Sequence, residues 1–193
     1  MSESFPTVHL VRHGETAWSR GRQHTGRSDI PLTEAGEREA QALKARLQGV
    51  QFATVLSSPL IRARRTAELA GFAERVKDDA HLVEWDYGSY EGRRTAEIRA
   101  ERADWHAFVD GYPGGETLAE IGMRADRVIA HVKKAGGNAL LFAHRDILRV
   151  VAARWIGLPA QEGRAFLLET ASVSVLGYHH DMSEPVIRSL NNR

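Results

Sequence analysis

A short apolar run, Thr7-Val8-His9-Leu10-Val11, breaks off into Arg12-His13-Gly14. The run is apolar, partly β-branched and only a few residues long, so it reads as a buried strand. The three residues after it constrain the whole chain. In open parallel α/β sheets, ligands bind outside the carboxyl ends of the strands. This strand ends there in a cation, an imidazole and a permissive backbone position. Arg12 is suited to gripping a phosphate through two parallel hydrogen bonds. His13 is a nucleophile or base that is largely neutral near pH 7. Gly14 lets the backbone turn sharply and approach a ligand.

Two more apolar runs repeat the pattern. Residues 53–56 form a strand that ends in Ser57-Ser58-Pro59, with Pro59 in the first turn of a helix. Arg62, Arg65 and Glu68 come next, at three-residue spacing on one face. From the start of that helix Arg62 can reach the same site as Arg12, and Arg64 and Arg65 read as solvated. Residues 139–143 form a strand that delivers His144. A last strand is expected over 172–177, with His179 and His180 beyond it as a solvated pair without metal-ligand spacing. Helices are predicted over 33–47 with Thr33 as N-cap, and from the capping box Thr117–Glu120 to Gly136-Gly137. Another starts after His144 and closes near Gly157, and 95–110 is helical and polar.

Between these elements lie two informative loops. Residues 17–30 are polar and carry Trp18, Ser19, Arg20, Arg22, His24, Thr25 and Arg27, which reads as the wall of an anion pocket. Residues 83–92 mix aromatics, acids and glycines, which reads as a functional loop rather than a core element. Glu84 and Asp86 there are both candidates for proton transfer, and Glu91 is a candidate brace for the loop. Residues 1–6 read as a loose lead-in.

The 193 residues suit one domain with a sizeable core, and a net charge of +1 supplies no global field to recruit nucleic acid. With no cysteine, disulfide and thiolate chemistry are excluded. Neither a signal peptide nor a membrane span is visible, so a cytoplasmic protein is expected.

Leu10-Val11-Arg12-His13-Gly14-Glu15-Thr16 with Trp18, then Gly26, Asp29 and Pro31-Leu32-Thr33, resembles the histidine phosphatase superfamily. The similarity continues through Ser57-Ser58-Pro59-Leu60, Arg62-Ala63 and Thr66-Ala67. It extends to Glu84, Gly88, Glu91-Gly92, Gly114-Gly115-Glu116 and Ala143-His144, in the family's order. The resemblance implies an α/β fold, a three-layer α/β/α sandwich around a mostly parallel sheet. One domain would then span 1–193, with a short lid or insertion at about 85–116. It implies a phosphohistidine formed on His13, charge stabilisation by Arg12, Arg62 and His144, and proton transfer by Glu84, selected over Asp86. Gly14, Ser19, Thr25 and Arg145 are the expected substrate contacts. No metal or cofactor is called for, because the guanidiniums supply the positive charge. The expected activity is metal-independent hydrolysis of phosphate monoesters of small metabolites, sugar phosphates first, and the expected partner is that small phosphorylated metabolite, with neither nucleic acid nor membrane. The alternatives are a cofactor-dependent phosphoglycerate mutase and a catalytically weak phospho-ligand binder. The short stretch between Glu84 and Glu116 lets water in more easily than the mutases' longer insertion, which favours the hydrolase.

Two departures from the family pattern stand out. Ser19 replaces the usual Asn, a shorter donor. Arg145 replaces the usual Gly after the second histidine. Arg145 can point to solvent, reach a second anionic group or obstruct the pocket; Asp146 can pair with it or cap the next helix. Glu84 faces opposed forces: burial raises its pKa, nearby arginines lower it, and an acid-side rate optimum results if the arginines win.

Overall fold

The computed structural model describes residues 5–193, so the start of the lead-in expected over 1–6 lies outside the described residues. The first strand is β1 (Val8–Arg12), succeeded by the short helix α1 (Ala17–Arg20) inside the expected loop. Helix α2 (Glu34–Leu47) starts where predicted: the Thr33 hydroxyl accepts the Gly36 amide, and Ala40, Leu43 and Leu47 are buried. Strand β2 (Thr54–Ser57) leads into α3 (Ile61–Ala67). Pro59 lies just outside that helix, whose first amide, from Ile61, donates 2.7 Å to Asp29 Oδ1 in the loop before α2.

A two-residue strand β3 (Lys77–Asp78) then precedes α4 (Thr95–Glu101), α5 (Ala107–Asp110) and α6 (Leu118–Ala135). The Thr117–Glu120 capping box is present at the head of α6. Strand β4 (Ala139–Ala143), helix α7 (Arg145–Trp155) and the strands β5 (Val173–Tyr178) and β6 (Pro185–Asn192) complete the order.

Among the described residues, six strands form one sheet in the order β3-β2-β4-β1-β5-β6. β1, β2, β3 and β4 run parallel, and β5 and β6 are added antiparallel at one edge. Alternation along the central strands sorts side chains to two cores. Leu10 and Leu141 pack with α6 and α7, whereas Val11, Leu140 and Phe142 pack with Leu43, Leu47 and Ala67 from α2 and α3. The result is the α/β/α layering expected, with β1, β2 and β4 ending on a common side at Arg12-His13, Ser57-Ser58 and His144.

One expectation is corrected here, and the exposed histidine pair gains a neighbour. The aromatics of 83–92 do not form an exposed loop: Trp85, Tyr87 and Tyr90 join Trp105, Phe108 and Tyr112 in the larger core. Their rings meet edge-on or tilted, with Trp85–Phe108 and Tyr87–Tyr112 centroids 5.1 and 4.5 Å apart. At the far edge, the β5–β6 turn returns Glu184 to the histidine pair, and His180 Nδ1 lies 2.7 Å from its carboxylate. His179, His180 and Glu184 thus have a ligand-like grouping that the spacing did not suggest, although all three are exposed.

Candidate functional site

The carboxyl ends of β1 and β4 open on a cavity of about 1160 Å³. Arg12, His13, Glu84, Tyr87 and Arg145 line its inner part, and Ser19, Thr25 and α4 line its outer part.

His13 is buried, and its Nδ1 lies 2.7 Å from the Gly14 carbonyl. A carbonyl can only accept, so Nδ1 carries the proton and a neutral ring presents the Nε2 lone pair. Burial, then Arg62 and Arg12, hold the imidazole well below its ordinary pKa, which keeps it neutral. Arg12 donates from Nη1 to the Leu168 carbonyl at 2.8 Å. Its Nε is buried with no partner among the described residues. Burial, with Arg145 adding to it, pushes Arg12 down to about 10. A buried, unpaired donor on a cation beside a neutral imidazole is a place for an anion.

Arg62 and His144 lie behind this wall, both fully buried. Arg62 Nε donates to His144 Nδ1 at 3.0 Å, so His144 carries its proton on Nε2, 2.8 Å from Ser58 Oγ. Arg62 also donates to the carbonyls of Ser28, Thr25 and Gly26, tying the loop after β1 to α3. The His13 and His144 rings are 5.2 Å apart, centroid to centroid. Burial and Arg62 keep His144 well below its ordinary pKa. The shared face expected of Arg62 and Arg65 does not form. Arg62 is interior, and Arg64 and Arg65 make ion pairs with Asp78 and Glu37, both more than a third exposed.

Glu84 is buried at the head of α7. Its Oε1 accepts the amides of Trp85 and Ile147, both at 2.9 Å, and its Oε2 accepts that of Asp146 at 3.0 Å. The N-cap residue His144 offers no side-chain cap, so Glu84 supplies one from a distant segment. Burial, assisted by the charge of Asp146, raises the Glu84 pKa, and the three amides oppose the rise. The Glu84 charge also interacts favourably with Arg12 and Arg62, as expected, but burial outweighs that attraction and the net shift is upward.

Arg145 does not stand alone, although more than a third of its side chain is exposed. Its Nε donates to Asp146 Oδ1 at 3.0 Å, and its guanidinium lines the cavity. Asp146 does not cap α7. It is buried and also accepts from Arg149 Nη1 and the Tyr87 hydroxyl, at 2.9 and 2.8 Å. Burial works against its charge, yet Arg145 and Arg149 hold its carboxyl well below the usual range.

The remaining expected contacts are engaged locally. Ser19 Oγ accepts the Thr16 amide and donates to the Thr16 carbonyl, and Thr25 Oγ1 donates to the Gln23 carbonyl. Gly14 makes its close approach to α2 rather than to the cavity: a Cβ there would stand 2.3 Å from the Gly36 carbonyl oxygen. Glu91 braces the loop, accepting the amides of Gly26 and Ser28. Two participants carried too little local signal to stand out: Tyr87 and the α4 wall formed by Thr95, Ala96 and Arg99.

Residues 8–193 match the histidine phosphatase superfamily (branch 1). An acid phosphatase of Mycobacterium tuberculosis is 37% identical over 186 residues, covering 94% of this chain and 91% of its own. A sedoheptulose 1,7-bisphosphatase of Saccharomyces cerevisiae is 31% identical over 252 residues, covering 97% and 93%. A solved Mycobacterium tuberculosis structure superposes with a TM-score of 0.90 at 35% identity, covering 97% of each chain.

Proposed function

Given that the chain belongs to the histidine phosphatase superfamily and is a phosphatase of that kind, we propose that it hydrolyses phosphate monoesters of small metabolites, sugar phosphates foremost, through a phosphohistidine on His13. The observation that carries this reading is the His13 tautomer. Nδ1 is committed to the Gly14 carbonyl, which leaves Nε2 free in a cavity shared with Arg12.

In the first step Nε2 attacks phosphorus in line. The N–P bond forms as the ester P–O bond breaks, and protonated Glu84 gives its proton to the leaving oxygen. Arg12, through its unpaired Nε, meets charge on the non-bridging oxygens, and Arg62 and His144 reinforce it from behind. In the second step the Glu84 carboxylate takes a proton from water, whose oxygen attacks phosphorus and releases inorganic phosphate and His13. The guanidiniums supply the positive charge, so neither step calls for a metal.

Steady-state hydrolysis of p-nitrophenyl phosphate, with and without EDTA and with His13→Ala alongside, tests the scheme. Turnover is expected to survive EDTA and to fall to background in His13→Ala. Wild-type turnover in His13→Ala, or its loss on adding EDTA, overturns it. Isomer interconversion dependent on added 2,3-bisphosphoglycerate, with little hydrolysis, would favour the mutase instead.

A further inference from the structure

The turn between β5 and β6 gathers three ligand-type side chains that the chemistry at His13 does not use. Strand β5 ends at Tyr178, so His179 and His180 fall in the turn rather than in the strand. Neighbours within a strand point to opposite faces. Released from that alternation, the two imidazoles come together, with ring centroids 3.7 Å apart.

The turn is closed by its own hydrogen bonds. The His179 amide donates to the Glu184 carbonyl at 3.0 Å, and the Glu184 amide donates to the Asp181 carbonyl at 3.2 Å. Asp181 Oδ1 accepts both the amide and the hydroxyl of Ser183, each at 2.6 Å. These bonds return Glu184 to the pair. Its Oε2 lies 2.7 Å from His180 Nδ1 and 3.5 Å from His179 Nδ1. Two ligands of a tetrahedral Zn²⁺ stand roughly 3.3–3.4 Å apart, given bonds of about 2.0–2.1 Å. The two observed separations bracket that span, and the ligand atoms of all three residues lie within 4.8 Å of one another. No other three His, Asp or Glu side chains among the described residues converge so closely.

Charge favours a cation there. Asp181 is close enough to His180 and Glu184 for their charges to interact, so two carboxylates share the turn. Neither forms an ion pair with a lysine or arginine among the described residues. Arg188, on β6, spends its Nη2 on the Tyr178 carbonyl instead. The exposed contact between His180 and Glu184 is worth little in water, so an incoming ion displaces little. A neutral imidazole opens its Nδ1 lone pair by carrying the proton on Nε2. Two imidazoles and one carboxylate suit Zn²⁺, whereas Mg²⁺ and Ca²⁺ take oxygen donors.

We propose that His179, His180 and Glu184 form a Zn²⁺ site that fastens the β5–β6 hairpin, with water completing the tetrahedron. The site is remote from His13. Strand β5 runs antiparallel to β1, with Val8 opposite Leu176 and Val11 opposite Val173. The turn after Tyr178 therefore lies beyond the start of β1, and the cavity lies beyond its end. Strand β6 is at the sheet edge with β5 as its one neighbour. An ion that binds the folded turn and not the unfolded chain stabilises that pairing by mass action.

Calorimetric titration of the full chain with Zn²⁺ tests the site, with Mg²⁺ as the control ion. The wild type is expected to bind one Zn²⁺ per chain, to bind Mg²⁺ far more weakly, and to melt at a higher temperature with Zn²⁺ present. In the double variant His179→Gln with His180→Gln, Zn²⁺ binding weakens about tenfold or more, the scale on which even an outer partner of a metal ligand acts. The melting shift goes with it. Glu184→Gln keeps the size of the side chain, removes its charge and is expected to weaken binding in the same direction. All three side chains are exposed, so without metal both variants keep the wild-type Tm and the wild-type turnover of p-nitrophenyl phosphate. Zn²⁺ bound equally by the wild type and both variants overturns the site, as does a wild type that binds none. Equal affinity for Mg²⁺ overturns the assignment to Zn²⁺. The titration reads binding directly, so it stands whether or not the chain hydrolyses a given ester.

Discussion

Arg62 donates from Nε to His144 Nδ1 at 3.0 Å, and this one bond fixes the tautomer of a histidine that never touches solvent. The guanidinium cannot give up its proton to act as acceptor, so Nδ1 must be the bare nitrogen. The same guanidinium holds three carbonyls of the loop after β1. Arg62→Lys keeps the charge and loses the fork, because one ammonium cannot reach His144, Ser28 and Gly26 together. Expected is a loss of about 3 kcal/mol of stability from buried groups left unpaired, or roughly 6–12 °C in Tm. Thermal melting measures it, and a Tm within about 2 °C of wild type would show the fork to be dispensable.

The pH dependence arises from two shifts of opposite sign. In the proposed mechanism His13 is the nucleophile when neutral, and its pKa is held well below 6.5, so acid does not disarm it until the pH is low. Glu84 is there the general acid when protonated, and its pKa is raised, so activity is expected to fall as the pH rises through that raised value. Activity is thus expected on the acid side of neutrality. In Asp146→Asn the Glu84 pKa drops, because one of the two causes raising it is gone, and the alkaline limb of kcat/KM moves to lower pH. Both enzymes meet the same alkyl phosphate ester, glycerol 3-phosphate, so the substrate's own ionisation near pH 6 cancels in the comparison. A limb that stays in place would separate Asp146 from Glu84.

Much of this arrangement was legible in the sequence, because local chemistry encodes it. Thr33 and Thr117–Glu120 mark helix starts through side-chain caps that bond only a few residues away. Ala139–Ala143 is buried on both faces and therefore apolar throughout, and Val8–Arg12 is apolar apart from the partly buried His9 and Arg12. What could not be read depends on partners distant in sequence. The acids and glycines around Trp85 and Tyr87 look like a loop, yet the rings are interior because Trp105, Phe108 and Tyr112 close over them. Arg62 and Arg65 share a spacing, and only the carbonyls of 25–28 decide which one is buried. Strand β3 is two residues long, and the half-buried β6 carries no clean alternation.

Arg145 tests whether the departure from the family's glycine aids or obstructs the site. Its guanidinium lines the cavity with Arg12 while Asp146 holds its Nε. Arg145→Gly removes that charge and leaves Asp146 with Arg149 and Tyr87. Inhibition by inorganic phosphate is expected to weaken about tenfold, the scale of one lost charge-assisted hydrogen bond. A tighter inhibition constant would mean that Arg145 obstructs the pocket.

Glu84 performs two tasks that separate variants can divide. As an acceptor it satisfies the amides of Trp85, Asp146 and Ile147 and so caps α7; as the proposed acid it would protonate the leaving oxygen. Glu84→Gln keeps one carbonyl oxygen for the Trp85 and Ile147 amides and loses the ionisable proton. Its kcat is expected to fall about 10²–10⁴-fold, the usual worth of a general acid, with a loss of about 1 kcal/mol because only the Asp146 amide loses its acceptor. Glu84→Ala loses the same chemistry and leaves all three amides without their acceptor. A further loss of about 2–4 kcal/mol is expected, at roughly 1 kcal/mol or more for each buried donor left unpaired. Urea denaturation of both variants beside their kcat values reads the two tasks independently. Equal destabilisation of the two would mean that the cap depends on the negative charge, and an active Glu84→Gln would assign the proton to another group.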